Sequence, residues 1–268
     1  MIRTSARVAV LDVESVPDGD ALSQAPRHSA GGHARPALHR IVSATVLVCD
    51  EHPNGFADVD LRTFAHPELD ETSILGCVDL LLPDPAEGSS RLVTWNGGHD
   101  LRLLRQRACS NWMFGVRALA GWCGGAAGSH VDVMERFACG DRRAAWRLAD
   151  ACAGLGFAVR NGLSARPVLT LHSRGRHDAV AEHNRLDVVG TFLAYAYHRS
   201  FETGDDGFAA TAWTGIADVL EGVAGVDPNV QSLAGHHLVS VARGRLTGPH
   251  PGPARPGRRP GVPAARAR

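Results

Sequence analysis

Asp12 with Glu14, Asp100, and Asp187 with His183 are the residues of this chain whose types and spacing suit chemistry. The first two acids close an apolar run, Arg7-Val-Ala-Val-Leu-Asp-Val-Glu14. Asp100 ends Trp95-Asn-Gly-Gly-His-Asp100, and Asp187 ends His183-Asn-Arg-Leu-Asp187. Residues i and i+2 of a strand face the same way, so Asp12 and Glu14 project together. Residues i and i+4 of a helix share a face, which pairs His183 with Asp187. Hard divalent cations such as Mg²⁺ or Mn²⁺ favour carboxylate oxygen. Two such ions, held by four acids, suit the activation of water against a phosphodiester. His183 would then accept the proton of the attacking water, since histidine's ordinary pKa of about 6.5 matches neutral pH.

Each part also has a plainer explanation. A D-x-E triplet arises about once by chance in a chain of this length, and two acids at a strand end can simply be hydrated. Asp100 is a suitable N-cap for a helix beginning at Leu101. The His183–Asp187 pair can be a solvated ion pair. Asn96 can hydrogen-bond a substrate or close its own turn. The arrangement gains weight as a set, because acids held side by side repel unless cations lie between them.

The elements that must position these residues are legible from periodicity and turn chemistry. Residues 7–13 read as a buried strand ending at Pro17-Asp18-Gly19, and 18–39 as a loop. Further strands are expected at 41–49, 59–64, 91–95 and 130–134. Helices are expected at 68–82, 100–107, 142–154 and 178–202, the last with apolar residues at helical spacing. Two weaker helices fall near 208–223 and 229–243. Strands in series, then alternating helix and strand, then a helix bearing an acid imply an α/β fold with a mixed sheet flanked by helices.

Composition narrows the function classes. Hydrophobic residues make up 44% and charged residues 21%, ordinary for a globular protein. The net charge is zero, so attraction to phosphate must come from a local patch or from metal ions. All 28 basic side chains are arginine. Arginines 142, 143, 160, 166, 174 and 176 are candidates for contacting a nucleic-acid backbone, although solvated charge is the default for each. The six cysteines form no C-x-x-C pair, which argues against a zinc knuckle and for reduced, mostly buried thiols in a cytoplasmic protein. No segment reaches the roughly 18 apolar residues of a membrane span. Histidines 28, 33 and 39 read as loop residues.

The chain resembles the DEDD superfamily of 3′–5′ exonucleases, which have an RNase H-like fold. It is most similar to the predicted exonucleases related to the proofreading domain of family B DNA polymerases. The resemblance is carried by Val10-Leu-Asp-Val-Glu-Ser-Val-Pro17, Leu92-Val-Thr-Trp-Asn-Gly-Gly-His-Asp100 and His130-Val-Asp-Val-Met134. Arg147-Leu-Ala-Asp-Ala-Cys-Ala-Gly-Leu-Gly156 and His183-Asn-Arg-Leu-Asp-Val-Val-Gly-Thr-Phe-Leu193 add to it. It spans residues 7 to about 200, the first motif being the most specific. It implies a five-stranded sheet, metal ligation by Asp12, Glu14, Asp100 and Asp187, and action on single-stranded DNA or RNA at its 3′ end. Asp132 matches a position in the fifth strand that is not one of the four metal acids. Two positions depart from the pattern. His183 stands where that group carries tyrosine, and the branch that uses histidine places it one residue earlier, here Glu182. His99 replaces the aromatic residue usual before the second-motif Asp.

These readings predict an RNase H-like exonuclease domain over 1–205, a helical extension over 206–244 and a disordered Pro/Arg-rich tail over 245–268. The expected activity is metal-dependent 3′–5′ hydrolysis using two Mg²⁺ or Mn²⁺ ions. The alternative is a weak or inactive nucleic-acid-binding module on the same fold.

Overall fold

The computed structural model describes residues 5–25, 36–125, 130–141, 145–159, 167–222 and 228–248. Its centre is a five-stranded sheet in the order β3-β2-β1-β4-β5. The strands are β1 (Ala6–Pro17), β2 (His39–His52), β3 (Gly55–Ala65), β4 (Arg91–Thr94) and β5 (His130–Asp132). The pairs β1–β2 and β2–β3 are antiparallel, and β1–β4 and β4–β5 are parallel. The helices are α1 (Gly19–Gln24), α2 (Glu71–Leu81), α3 (Gly97–Ser110), α4 (Arg117–Cys123), α5 (Val133–Phe137), α6 (Leu148–Gly154), α7 (Val168–Ser173), α8 (His177–Thr203), α9 (Gly207–Gly222), α10 (Pro228–Ala234) and α11 (His237–Thr247). This is the mixed α/β sheet with flanking helices expected of an RNase H-like fold.

Strand β1 is central because both of its faces are apolar. Val8 and Val10 pack under α8 with Leu47, Val189 and Phe192, while Ala9, Leu11 and Val13 face α2, α3 and α4 with Val46, Leu75 and Leu104. Alternation carries the even-numbered side toward α8, so Asp12 and Glu14 emerge on the face that helix covers. Helix α8 is buried almost continuously from Ala179 to Ala196 and ends at Gly204, in the left-handed region at φ 70°. Glycine has no Cβ penalty there and serves as the stop.

The far end of α8 is tied to the opposite end of the sheet. Glu51 accepts hydrogen bonds from Tyr195 Oη at 2.7 Å and Arg199 Nε at 3.0 Å, and Arg91 pairs with the same carboxylate. A single buried acid satisfied by three donors is a suitable way to hold it. Burial pushes the Tyr195 hydroxyl well above the ordinary tyrosine range, with Glu51 adding to the shift. On the other face, Arg107 of α3 forms a fork with Glu71 of α2, at 2.8 Å and 2.6 Å, and reaches Asp18 at 3.0 Å. That cluster orients α3 against β2, whose Ile41 N–H donates to Glu71 Oε1 at 2.7 Å.

Several expected boundaries shift for identifiable reasons. The segment expected as a loop over 18–39 contains α1, capped by the Asp18 carboxylate, and opens β2 at His39; 26–35 lie outside the described residues. The third strand begins at Gly55 rather than 59, because the β2–β3 hairpin pairs through His52↔Gly55. The fifth strand stops at Asp132, since its carboxylate caps α5. Helix α3 starts at Gly97, not Asp100, and among the described residues the helix expected over 142–154 runs only from Leu148 to Gly154. Of the cysteines, Cys49 and Cys152 are buried, Cys77 and Cys123 are half-buried, and Cys109 and Cys139 are exposed, so the thiols are less buried than composition suggested.

The C-terminal helices share the main core. Phe208, Trp213, Ile216, Val230 and Val239 belong to the same apolar cluster as Val8 and Val10. Thr211 of α9 accepts the Phe56 N–H of β3 at 2.9 Å. Helix α11 continues to Thr247, past the point where the tail was expected to start; 249–268 lie outside the described residues. Among the described residues, no helix is long and apolar enough to cross a membrane.

Candidate active site

The acids on β1 meet α8 through specific contacts. Asp12 pairs with Thr45 and Glu14 with Ser43 across the β1–β2 ladder, and a register shift follows Glu14. Asn184 of α8 bridges both strands. Its Nδ2 donates to Asp12 Oδ2 at 2.6 Å, and its Oδ1 accepts from Ser43 Oγ at 3.1 Å. His183 Nε2 lies 3.3 Å from Glu14 Oε1 and 3.9 Å from Asp187 Oδ2. One ligand atom from each of Glu14, His183 and Asp187 falls within 4.8 Å of the others. His183 and Asp187 are each only 5% exposed, so the solvated-pair explanation does not describe them.

Asp100 stands in the first turn of α3 and is also 5% exposed. It is not the helix cap. That position belongs to Asn96, in the left-handed region at φ 62°, whose side chain makes no capping bond and is exposed. The Asp132 carboxylate takes over the capping. It accepts the N–H of Asn96 at 3.1 Å and of Gly97 at 3.0 Å, and also the N–H of Met134 at 3.1 Å. One acid thus joins the starts of α3 and α5 and fixes the turn that presents Asp100. Gly97 is required by close approach, since a Cβ there would lie 2.1 Å from Thr94 Oγ1 and 2.8 Å from His130 Nε2.

Burial raises the Asp100 carboxyl above the usual carboxylate range, a shift opposed by the hydrogen bond from His99. His99 Nδ1 lies 3.1 Å from Asp100 Oδ1, and that bond holds the imidazole above its ordinary value. Glu14 adds a lesser negative field at His99. Among the four acids, Glu14 and Asp187 are the ones brought together beside His183, and acids gathered in this way are costly unless a cation offsets them. Their carboxylate oxygens suit a hard divalent ion. The residues therefore fit the metal that the sequence implies.

Beside His99 a cleft of about 490 Å³ is bordered by Pro36, Arg102, Arg105 and Gln106. Its two arginines supply local positive charge that the net balance of the chain lacks. Glu182, five residues before Asp187, is held by Arg185 Nη1 at 2.7 Å on its own helix. Arg176 pairs with Asp178 at 2.9 Å, whereas arginines 142, 143, 160 and 166 lie outside the described residues, as do His28 and His33. His39 opens β2 with Nδ1 3.0 Å from Ser15 Oγ.

Asn184, Ser43 and the bridging role of Asp132 escape sequence reasoning. The available signal for Asn184 was a short polar side chain inside the buried stretch of a helix, where it needs a partner.

A mixed 3-2-1-4-5 sheet with acids on its central strand, facing an acid and a histidine on a long covering helix, defines an RNase H-like fold of the exonuclease kind. The model of the family described as "predicted 3′-5′ exonuclease related to the exonuclease domain of PolB" matches residues 32–207, and the chain belongs to that family. No curated protein matches the chain. The matched span contains Asn96, Asp100, His183 and Asp187, and ends where α9 begins. Asp12 and Glu14 precede it, so their place rests on the pairing of β1 between β2 and β4.

Proposed function

We propose that this protein removes nucleotides from the 3′ end of single-stranded DNA or RNA by metal-dependent hydrolysis, with Asp12, Glu14, Asp100 and Asp187 holding the ions. The observation that carries this reading is the convergence of Glu14, His183 and Asp187 within 4.8 Å, with Asp12 joined to the same helix through Asn184. Membership in a family of predicted 3′–5′ exonucleases supports the reaction class.

When bound, two Mg²⁺ or Mn²⁺ ions supply Lewis acidity and make water a stronger nucleophile near neutral pH. The protein's own residues do the rest. Asn184 holds the Asp12 carboxylate in one orientation. His183 Nε2, set between Glu14 and Asp187, accepts a proton from the attacking water. Asn96 offers an exposed amide at the turn before Asp100, placed to hydrogen-bond the terminal nucleotide. Arg102 and Arg105 line the path of the strand and balance its phosphates.

The deciding assay uses end-labelled DNA and RNA oligonucleotides with and without Mg²⁺ or Mn²⁺. Progressive shortening from the 3′ end by wild type, abolished in Asp12→Ala, is the expected result. Equal release by the two proteins removes the catalytic assignment. Tight, metal-independent binding without cleavage replaces the reading with a binding module.

A further inference from the structure

A second group of ligating side chains lies apart from the carboxylates. His66 follows β3, His172 lies in α7 and His177 opens α8. One ring nitrogen from each is within 4.8 Å of the other two. The ring centroids are 4.8 Å apart for His66–His177, 4.8 Å for His172–His177 and 5.7 Å for His66–His172. All three rings are half-buried. Nδ1 of His66 and Nδ1 of His172 are buried and make no hydrogen bond. Buried polar atoms are normally satisfied, so two orphaned nitrogens in one cluster need a cause. Edge-to-face packing of the rings accounts for their proximity but leaves both nitrogens unsatisfied.

We propose that His66, His172 and His177 form a zinc-binding site that fastens the end of β3 and helix α7 to the first turn of α8. Three imidazoles with a fourth position for water is an established zinc donor set. Tetrahedral geometry with bonds of about 2.0–2.1 Å places ligand nitrogens about 3.4 Å apart, so nitrogens now within 4.8 Å close by up to about 1.4 Å on binding. Side-chain rotation of half-exposed histidines supplies that movement. Burial, then the neighbouring His177 and Arg40, hold His66 and His172 below the usual imidazole range, so their lone pairs are free at neutral pH. Glu68 contributes the opposing negative field at His66. Imidazole nitrogen favours zinc over magnesium, which separates this site chemically from the carboxylates. The two are joined mechanically, because His177 precedes His183 by six residues, about 9 Å of helix rise. The loop segment between His66 and α2 and the α7–α8 turn would then be fixed to the helix that carries His183, Asn184 and Asp187.

The test uses the untagged full chain titrated with Zn²⁺ in excess Mg²⁺, with bound metal counted after dialysis. Wild type and Asp187→Asn are expected to retain one tight equivalent. Loss of an outer-sphere partner alone weakens metal binding by about 10–100-fold, so His172→Asn and His177→Asn are each expected to lose at least that much. Co²⁺ as a probe is expected to give visible ligand-field bands without the near-ultraviolet band of a thiolate. Circular dichroism verifies folding, and His177→Asn, at the first turn of α8, decides the matter if His172→Asn fails to fold. Equal zinc binding by wild type and both histidine variants overturns the proposal. So does the absence of a tight equivalent in wild type, its loss only in Asp187→Asn, or a thiolate band with Co²⁺. None of these readouts depends on nuclease activity.

Discussion

Asn184 on α8 donates a hydrogen bond of 2.6 Å to the carboxylate of Asp12 on β1. The same amide accepts from Ser43 at 3.1 Å, so neither its orientation nor that of Asp12 is free to drift. Replacing Asn184 by Leu keeps a branched side chain, favours the helix and removes both bonds. If Asp12 holds a metal ion as proposed, turnover is expected to fall by about 10–100-fold, the usual cost of losing a partner that orients a metal ligand. Ser43→Ala is expected to cost less, because Asn184 retains its contact with Asp12. Steady-state kinetics at saturating metal checks both, and equal effects of the two substitutions would show that the Ser43 bond is what holds Asn184 against Asp12.

His183 lies 3.3 Å from Glu14 and 3.9 Å from Asp187. If it takes the proton of the attacking water, His183→Ala is expected to lower kcat by about 10²–10⁴-fold with little loss of metal affinity. Calorimetric titration of Mn²⁺ alongside single-turnover rates separates the two roles. A large loss of Mn²⁺ affinity reassigns His183 to ligation, and an unchanged rate removes it from the reaction.

Asp132 holds the first turns of α3 and α5 together through backbone amides of Asn96, Gly97 and Met134. Asp132→Ala is expected to destabilise the fold by about 2 kcal/mol, a lost cap with unsatisfied amides added. Activity is expected to fall even at temperatures where the variant is fully folded, because the turn presenting Asp100 loosens. Urea unfolding and turnover measured on the same preparation test this, and a stability loss with normal turnover would confine Asp132 to a structural role.

Burial holds His130 below the ordinary imidazole range, with Asp132 and Glu135 pulling the other way. The native state therefore resists protonation at His130 while the unfolded chain accepts it near pH 6.5. Stability from this group is complete above about pH 6.5 and is lost as pH falls toward the depressed native value. His130→Gln is expected to flatten that part of the Tm-against-pH curve, while wild type declines. Parallel curves for the two proteins would exclude His130 as a contributor.

The chemistry-bearing face of β1 was legible because a central strand writes its two cores as alternating residues. Val8 and Val10 on one side and Ala9 and Leu11 on the other place Asp12 and Glu14 without further information. Helix α8 was legible for the same kind of reason, its apolar residues recurring at helical spacing. Short helices such as α1 and α7 were not, since six residues carry too little periodic signal and depend on capping and tertiary contact. The start of α3 was misread because Asp100 follows a Gly-Gly pair and looks like a cap, whereas the capping oxygen comes from Asp132, far along the chain. Asn184 and the His66–His172–His177 cluster were invisible for a related reason. Asn184 is remote from Asp12 and His66 from His172 and His177, and only the crossing of α8 over the sheet brings them together.

Gly190 lies so close to Val159 and Cys152 that an added methyl would come within 2.8 Å of Val159. A helix packed that closely has little room to roll or slide against its neighbours. Under the proposed function, the wall bearing His183, Asn184 and Asp187 would act as an anvil, and the incoming polymer would be accommodated at the rim, by the exposed turn at Asn96 and the cleft beside His99. That proposal would assign choice of substrate and speed of reaction to separate parts of the chain. Substitutions at the rim would then change which polymer ends are accepted, while those on the anvil would change how fast any of them reacts.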